Sequence, residues 1–181
     1  VAIAFDLLLS LNQLLQTQAR FSADDMAWFQ LDQLSLHAVE LIQALSAELR
    51  AVPDRDELVH GAVTRLLAWD GNCTASSIPA AIFHVFHRHL LANLLRGELG
   101  DELFGAYTEI LNQCIVPSDK ILRDEKSCWF AKRPRKALVA QSLSDACAEL
   151  RQALGADCER WQWGKLHRLS LNHALGRVAL L

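Results

Sequence analysis

An all-α fold is predicted by three features of this 181-residue sequence. Gly (8), Pro (4) and Tyr (1) are scarce, whereas Leu and Ala, both strong helix formers, recur throughout. Apolar residues return at three- and four-residue spacing over long stretches. The connections between those stretches are short, which implies antiparallel neighbours packed as an irregular multi-helix bundle. Hydrophobic residues make up 51% of the chain, enough for a real core. No repeat or low-complexity linker divides residues 1–181, so the chain reads as a single helical domain or part of a larger one.

The first predicted helix covers about 2–18, with Ile3, Leu7, Leu11, Leu14 and Leu15 on one stripe. Ser22 then has the chemistry of an N-cap, and Asp24 and Asp25 suit the positive end of a helix dipole. The second helix, about 22–50, carries the stripe Leu34, Ala38, Leu41, Leu45 and Leu49 and stops at Pro53. A third runs over about 55–68 and leads into Trp69-Asp70-Gly71-Asn72, where Asp-Gly and Gly-Asn favour a tight reversal. The fourth, about 79–96, places Pro79 in its first turn, where proline is tolerated. Gly97 and Gly100 separate it from a fifth, about 101–114, with Leu103, Phe104, Tyr107, Ile110 and Leu111 inward. Pro117 and Pro134 bound a less regular stretch, in which Pro117-Ser118-Asp119 can open one short turn. The sixth helix, about 135–154, has Leu143, Cys147, Leu150 and Leu154 inward and Gly155 as its terminator. A last helix is expected over about 165–174.

Several function classes are disfavoured. The net charge is −3 and the pI near 6.2, so no basic excess exists to neutralise a phosphate backbone, and nucleic acid is not an expected partner. The run Lys132-Arg133-Pro134-Arg135-Lys136 reads as a solvated helix entry. Asp6, Asn12 and Gln13 interrupt the apolar start well short of a membrane span, and no basic segment precedes it as in a signal peptide. The cysteines Cys73, Cys114, Cys128, Cys147 and Cys158 are odd in number and form no CxxC, which argues against a zinc site while allowing one or two disulfides. Apolar residues at both ends of the chain suggest a piece of something larger.

No constellation stands out as chemistry. His84 and His87 share a helix face with His89 nearby, but a metal would want a further ligand from elsewhere, often a carboxylate. They read as partly exposed helix histidines. His167 and His173 are six apart and fall on different faces; a structural role beside Trp163 suits His167. No cysteine sits in an activating context, and no phosphate-binding or GxSxG loop is present. Gln30, Asp32 and Ser35 are placed to form a buried polar network that orients neighbouring elements.

Three stretches carry a resemblance. Phe21 through Ala38, with Gln30, Asp32 and Ser35 at fixed spacing, is similar to the Q-x-D-x-x-S run of penicillin acylases. Leu66-Leu67-Ala68-Trp69-Asp70-Gly71, followed by Ser76 to Phe83, resembles the family's L-x-x-W-D-G signature and its sequel. Trp161-Gln162-Trp163-Gly164-Lys165-Leu166-His167, then His173, resembles its W-x-W-G-x-x-H…H stretch. The three occur in the family's order and spread over most of the chain, and together they resemble the helical region of the β chain in the penicillin amidase family.

That resemblance implies a larger αββα N-terminal-nucleophile hydrolase. Its members expose a serine by self-cleavage and attack amide carbonyls of penicillins, cephalosporins, acyl-homoserine lactones or related N-acyl compounds. Residue 1 here is Val1, which carries no hydroxyl or thiol. The family's oxyanion asparagine precedes the matched segment, and the calcium ligands of some members lie outside it. The expectation is therefore a chain with no catalytic, cofactor or metal residue of its own. Gln30, Asp32, Ser35, Trp69, Asp70, Gly71, Trp161, Trp163, Gly164, His167 and His173 are then structural signature positions. The implied partner is the remainder of the parent acylase, with self-association through exposed apolar surface, and the implied location is periplasmic or secreted. A free-standing helical protein-binding module is the alternative.

Overall fold

The computed structural model describes residues 10–17, 20–53, 56–109 and 111–168. Among these the chain is all-α, without a strand; its only β feature is one isolated antiparallel bridge, Leu34 to Asn72. None of the described helices is long and apolar enough to cross a membrane. Residues 10–15 are helical. The elements that follow are α1 (Ala23–Gln30), α2 (Leu36–Ala44), α3 (Ser46–Arg50), α4 (Glu57–Leu67), α5 (Ile78–Glu109), α6 (Leu111–Arg123), α7 (Arg135–Leu154) and the single turn α8 (Trp163–Leu166). Short 3-10 turns at Cys128–Phe130 and Cys158–Arg160 flank α7.

The single helix expected over 22–50 is three helices. Ser22 caps α1 through a capping box with Asp25, as its position suggested. At the other end, Asp32 takes the Leu34 amide on its side chain (3.2 Å) and Ser35 takes that of Ala38 (3.2 Å). Side chains that bond nearby amides offer the backbone an alternative to the helix ladder, so the chain breaks at 31–35 and restarts at Leu36. Of the predicted stripe, Ala38, Leu41, Leu45 and Leu49 beyond the break are fully buried, and Leu34 within it is half-buried.

Helix α5 is the spine of the core. Ser77 Oγ accepts from Ala80 N (3.3 Å) at its start, and Phe83, Phe86, Leu90 and Leu94 are buried in one cluster with Leu138, Val139, Leu143, Ala146 and Leu150 of α7. Asn93 bonds Ser142 Oγ and Asp145 Oδ2 (both 3.0 Å) across the same interface. Gly100, at φ 75° and ψ 169°, breaks α5 into two helical stretches, whereas Gly97 lies within the first. Past the kink Phe104 is buried but Leu103 is 62% exposed, against expectation. Arg96 lies over the Phe104 ring at 4.7 Å.

Helix α6 runs through Pro117, where only one short turn was expected. A proline inside a helix costs about 3 kcal/mol. The burial of Ser118, Asp119 and Leu122 on the same turn shows that packing outweighs that preference here. Helix α7 spans the expected 135–154 and ends at Gly155 with φ 95°. The last helix is confined to Trp163–Leu166 within the described residues, and most of its expected continuation lies outside them. Among the described residues, Cys128, Cys147 and Cys158 carry free thiols.

The basic run is not uniformly solvated. Lys132 is exposed and pairs with Glu98 (2.7 Å), but Arg135 is only 6% exposed. Its guanidinium contacts Glu48 through Nε (2.8 Å) and Nη2 (2.5 Å), Glu125 (2.9 Å) and the Leu122 carbonyl (3.0 Å). Removing one partner of a buried ion pair strands the other charge. Glu48→Ala should therefore cost about 3 kcal/mol, whereas Lys132→Ala should cost under about 0.5 kcal/mol. Urea unfolding of the two variants checks the contrast.

Candidate functional site

Three non-helical segments, about 31–35, 68–77 and 161–162, meet at one junction. Ser35 N donates to Gly71 O (2.9 Å) and Cys73 N donates to Gln33 O (3.0 Å), which pins the break after α1 to the Trp-Asp-Gly turn. Asp70 Oδ1 accepts from Asn72 N (2.9 Å), and Trp69 Nε1 donates to Asn72 O (3.1 Å), closing that turn. On the other side, Trp163 N donates to Ser77 O (3.0 Å) and Gly164 N to Ala75 O (2.8 Å). Trp161 is fully buried, and its Nε1 donates to Gly155 O (2.8 Å).

Two glycines permit this closeness. At Gly71, φ is +88°, and a Cβ would lie 2.5 Å from Val39 Cγ2 and 3.1 Å from Ser35 O. At Gly164 a Cβ would meet Ala75 Cβ at 3.0 Å. Both positions exclude side chains because another backbone passes there.

The structure thus unites Asp32, Ser35, Trp69, Asp70, Gly71, Trp163 and Gly164. Gln30 lies exposed at the end of α1, away from the buried network expected of it. Asp32 instead accepts from Ser10 Oγ. His167 stacks on Trp163 (4.8 Å, 4°), which in turn stacks on His84 (4.3 Å). His173 lies outside the described residues.

A histidine–aspartate cluster adjoins the junction. Ser35 starts α2 and so sets the position of His37; Ser77 does the same for His84 and His87 on α5. His37 Nε2 lies 2.7 Å from Asp119 Oδ2, and His87 Nε2 lies 3.7 Å from Asp119 Oδ1. His87 and Asp119 are each only 7% exposed. The Phe83 ring stacks on His87 (5.7 Å, 9°), touches His37 edge-on (5.8 Å), and reaches Trp69 of the junction (5.7 Å). Arg123, held by Glu40 (2.9 Å), stands 3.8 Å from Asp119 Oδ2. Neither His37 nor Asp119 stood out in the sequence: each lies alone on its own helix, and only the crossing of α2, α5 and α6 brings them together. His89 faces elsewhere and pairs with Glu149 (2.9 Å).

Electrostatics separate these groups. Burial lowers the pKa of His84 from 6.5 to about 4, with further repulsion from His87, His37 and His167. Burial also lowers that of His87, against the pull of Asp119. Burial would raise the Asp119 pKa, but the His37 and His87 imidazoles outweigh it and hold the carboxyl at about 2. Near neutral pH, His84 and His87 are therefore uncharged beside an ionised carboxylate.

Fold and junction together define the class: an all-α chain whose helices are organised by a glycine-dependent meeting of three motif segments. The sequence profile of the family described as penicillin amidase matches residues 9–181, and the chain belongs to that family. It is 31% identical over 168 residues to an acyl-homoserine lactone acylase QuiP of Pseudomonas fluorescens strain Pf-5, covering 82% of this chain and 21% of that protein. The corresponding acylase of Pseudomonas syringae pv. syringae is 33% identical over 135 residues, covering 68% and 16%. That of Pseudomonas aeruginosa is 31% identical over 175 residues, covering 86% and 21%. The chain thus spans about one-fifth of the length of these curated relatives.

Two outcomes follow from the site. Gly71→Ala combines positive-φ strain with a clash and should cost at least about 2 kcal/mol. Gly155→Ala, with φ +95° and nothing within 4 Å, carries strain alone and should cost about 1 kcal/mol; thermal unfolding of the pair separates the two terms. For pH, a histidine with a folded pKa below its unfolded value binds fewer protons folded than unfolded. Its contribution is complete above the unfolded pKa of 6.5 and is lost as pH falls towards the folded value of about 4. Unfolding free energy should therefore fall across that window, by up to about 1.4 kcal/mol per pH unit for each such histidine. His84→Gln should flatten the slope by as much as one proton in a urea series run at successive pH values.

Proposed function

We infer that this chain is the helical scaffold of a larger penicillin-amidase-type amidohydrolase, which cleaves an N-acyl amide of the penicillin, cephalosporin or acyl-homoserine lactone kind. The observation that carries the reading is the family match along residues 9–181 in a chain equal to only about one-fifth of its acylase relatives. The attacking serine, on this reading, belongs to another part of the larger protein. The signature residues here act through packing and backbone geometry, and the chain itself supplies no cofactor ligand to the amide cleavage.

An exposed apolar face supports a scaffold role. Trp28 is 77% exposed and Leu31 69%. Both line a cleft of about 570 Å³ together with Leu14, Phe29, Asp32, Gln33 and Asn72. Large apolar side chains gathered at a surface mark a place where another surface packs. The remainder of the acylase is the proposed occupant. A basic surface for nucleic acid is absent from the composition, and the proposed location follows that of the family, periplasmic or secreted.

The test uses the purified chain. It should show no hydrolysis of an N-acyl-homoserine lactone or of a penicillin, and sedimentation should show concentration-dependent self-association that Trp28→Ser with Leu31→Ser reduces. Hydrolysis that survives rigorous purification would overturn the scaffold assignment. A strictly monomeric chain at high concentration would remove the docking face.

A further inference from the structure

We propose that His37, His87 and Asp119 form a binding site for one divalent transition-metal ion of the zinc kind, which ties α2, α5 and α6 together. One ligand atom from each of the three lies within 4.8 Å of the other two. Two imidazole nitrogens and a carboxylate oxygen suit zinc and its neighbours, whereas calcium and magnesium favour all-oxygen sites. Around a tetrahedral ion, with metal–ligand distances of about 2.0–2.1 Å, donors stand roughly 3.3 Å apart. His37 Nε2 stands 2.7 Å from Asp119 Oδ2 and His87 Nε2 stands 3.7 Å from Asp119 Oδ1, on either side of that value, so the two oxygens of the one carboxylate each face an imidazole.

The decisive feature is at the buried end. His87 Nε2 and Asp119 Oδ1 face each other at 3.7 Å, too far for a hydrogen bond. Both atoms are buried and make no other hydrogen bond. Leaving buried polar atoms unsatisfied costs about 1–3 kcal/mol each, and an ion between them would satisfy both. The Phe83 ring stacked on His87 holds that imidazole in its plane. Three protein ligands leave a fourth position for water or another group, and His37, with 19% of its side chain exposed, marks the entry side. Arg123 opposes a cation at 3.8 Å from Asp119, but its charge is shared with Glu40 at 2.9 Å.

This inference stands independently of the scaffold reading. The 181-residue chain, dialysed against a chelator, is titrated with zinc by calorimetry and with cobalt(II) by visible absorption. One ion should bind per chain, without a thiolate charge-transfer band. His37→Gln and Asp119→Asn should each weaken binding at least about a hundredfold, while His89→Gln leaves it unchanged. Substoichiometric binding, or an affinity indifferent to His37→Gln and Asp119→Asn, would overturn the site. So would a thiolate band, which would move the ion to Cys73 and His84, whose Sγ and Nε2 are 3.8 Å apart. Should the variants lose helicity, imidazole resonances of the unaltered chain decide: zinc should shift those of His37 and His87, and shifts confined to His84, His89 or His60 would refute the assignment.

Discussion

Wherever a helix stops, backbone amides and carbonyls need new partners, and at one junction this chain finds them between segments far apart in sequence. Ser35 to Gly71, Cys73 to Gln33, Trp163 to Ser77 and Gly164 to Ala75 are backbone bonds joining regions far apart in sequence. Each needs close approach of two main chains, which a side chain at Gly71 or Gly164 would block. Because Ser35 caps α2 and Ser77 starts α5, the junction fixes the phase of both helices. It thereby determines that His37 and His87 turn toward α6 while the buried stripes of α2 and α5 face the core. A local backbone constraint is carried by helix rigidity into the geometry of the buried polar cluster.

The core is apolar in bulk but carries polar groups where helices cross. Arg135 with Glu48 and Glu125, Asn93 with Ser142 and Asp145, and Asp119 with the two histidines each bridge separate elements. Such groups contribute less net stability than apolar packing of equal volume. Their directional needs, however, penalise alternative registers, in which they would be buried without partners. Helix α6 illustrates the balance. Its proline opposes helix, yet Ser118 and Asp119 on the next positions are buried, so their tertiary contacts hold the segment in a conformation its local propensity disfavours.

Much of this was legible in the sequence. The boundaries of α7 followed from Pro134 and Gly155, and the Ala38–Leu49 stripe from its spacing, because these are local signals. The split of α1 from α2 was harder to read. Asp32 and Ser35 were visible as polar positions, but their preference for nearby amides over the helix ladder only decides the matter once Gly71 and Cys73 are available as partners. Leu103 and Arg135 reversed their expected sides for a related reason. The kink at Gly100 resets the helical phase, and a basic run does not disclose that one member has the Glu48 carboxylate as a largely buried partner. The His37–His87–Asp119 cluster was invisible for the plainest reason, since three isolated residues on three helices have no spacing to read. The motif resemblance marked the junction instead, because its residues occur in short runs.

The cleft beside Trp28 and the junction are not separate features. Asp32, Gln33, Asn72 and Thr74 line the cleft; Gln33 O also accepts from Cys73 N, and Asn72 forms the isolated bridge to Leu34. A surface packed into that cleft would rest on main chain held by hydrogen bonds, with little freedom to yield. The exposed apolar face and the buried histidines are thus linked through Ser35, whose amide bonds Gly71 O and whose hydroxyl caps the helix that carries His37.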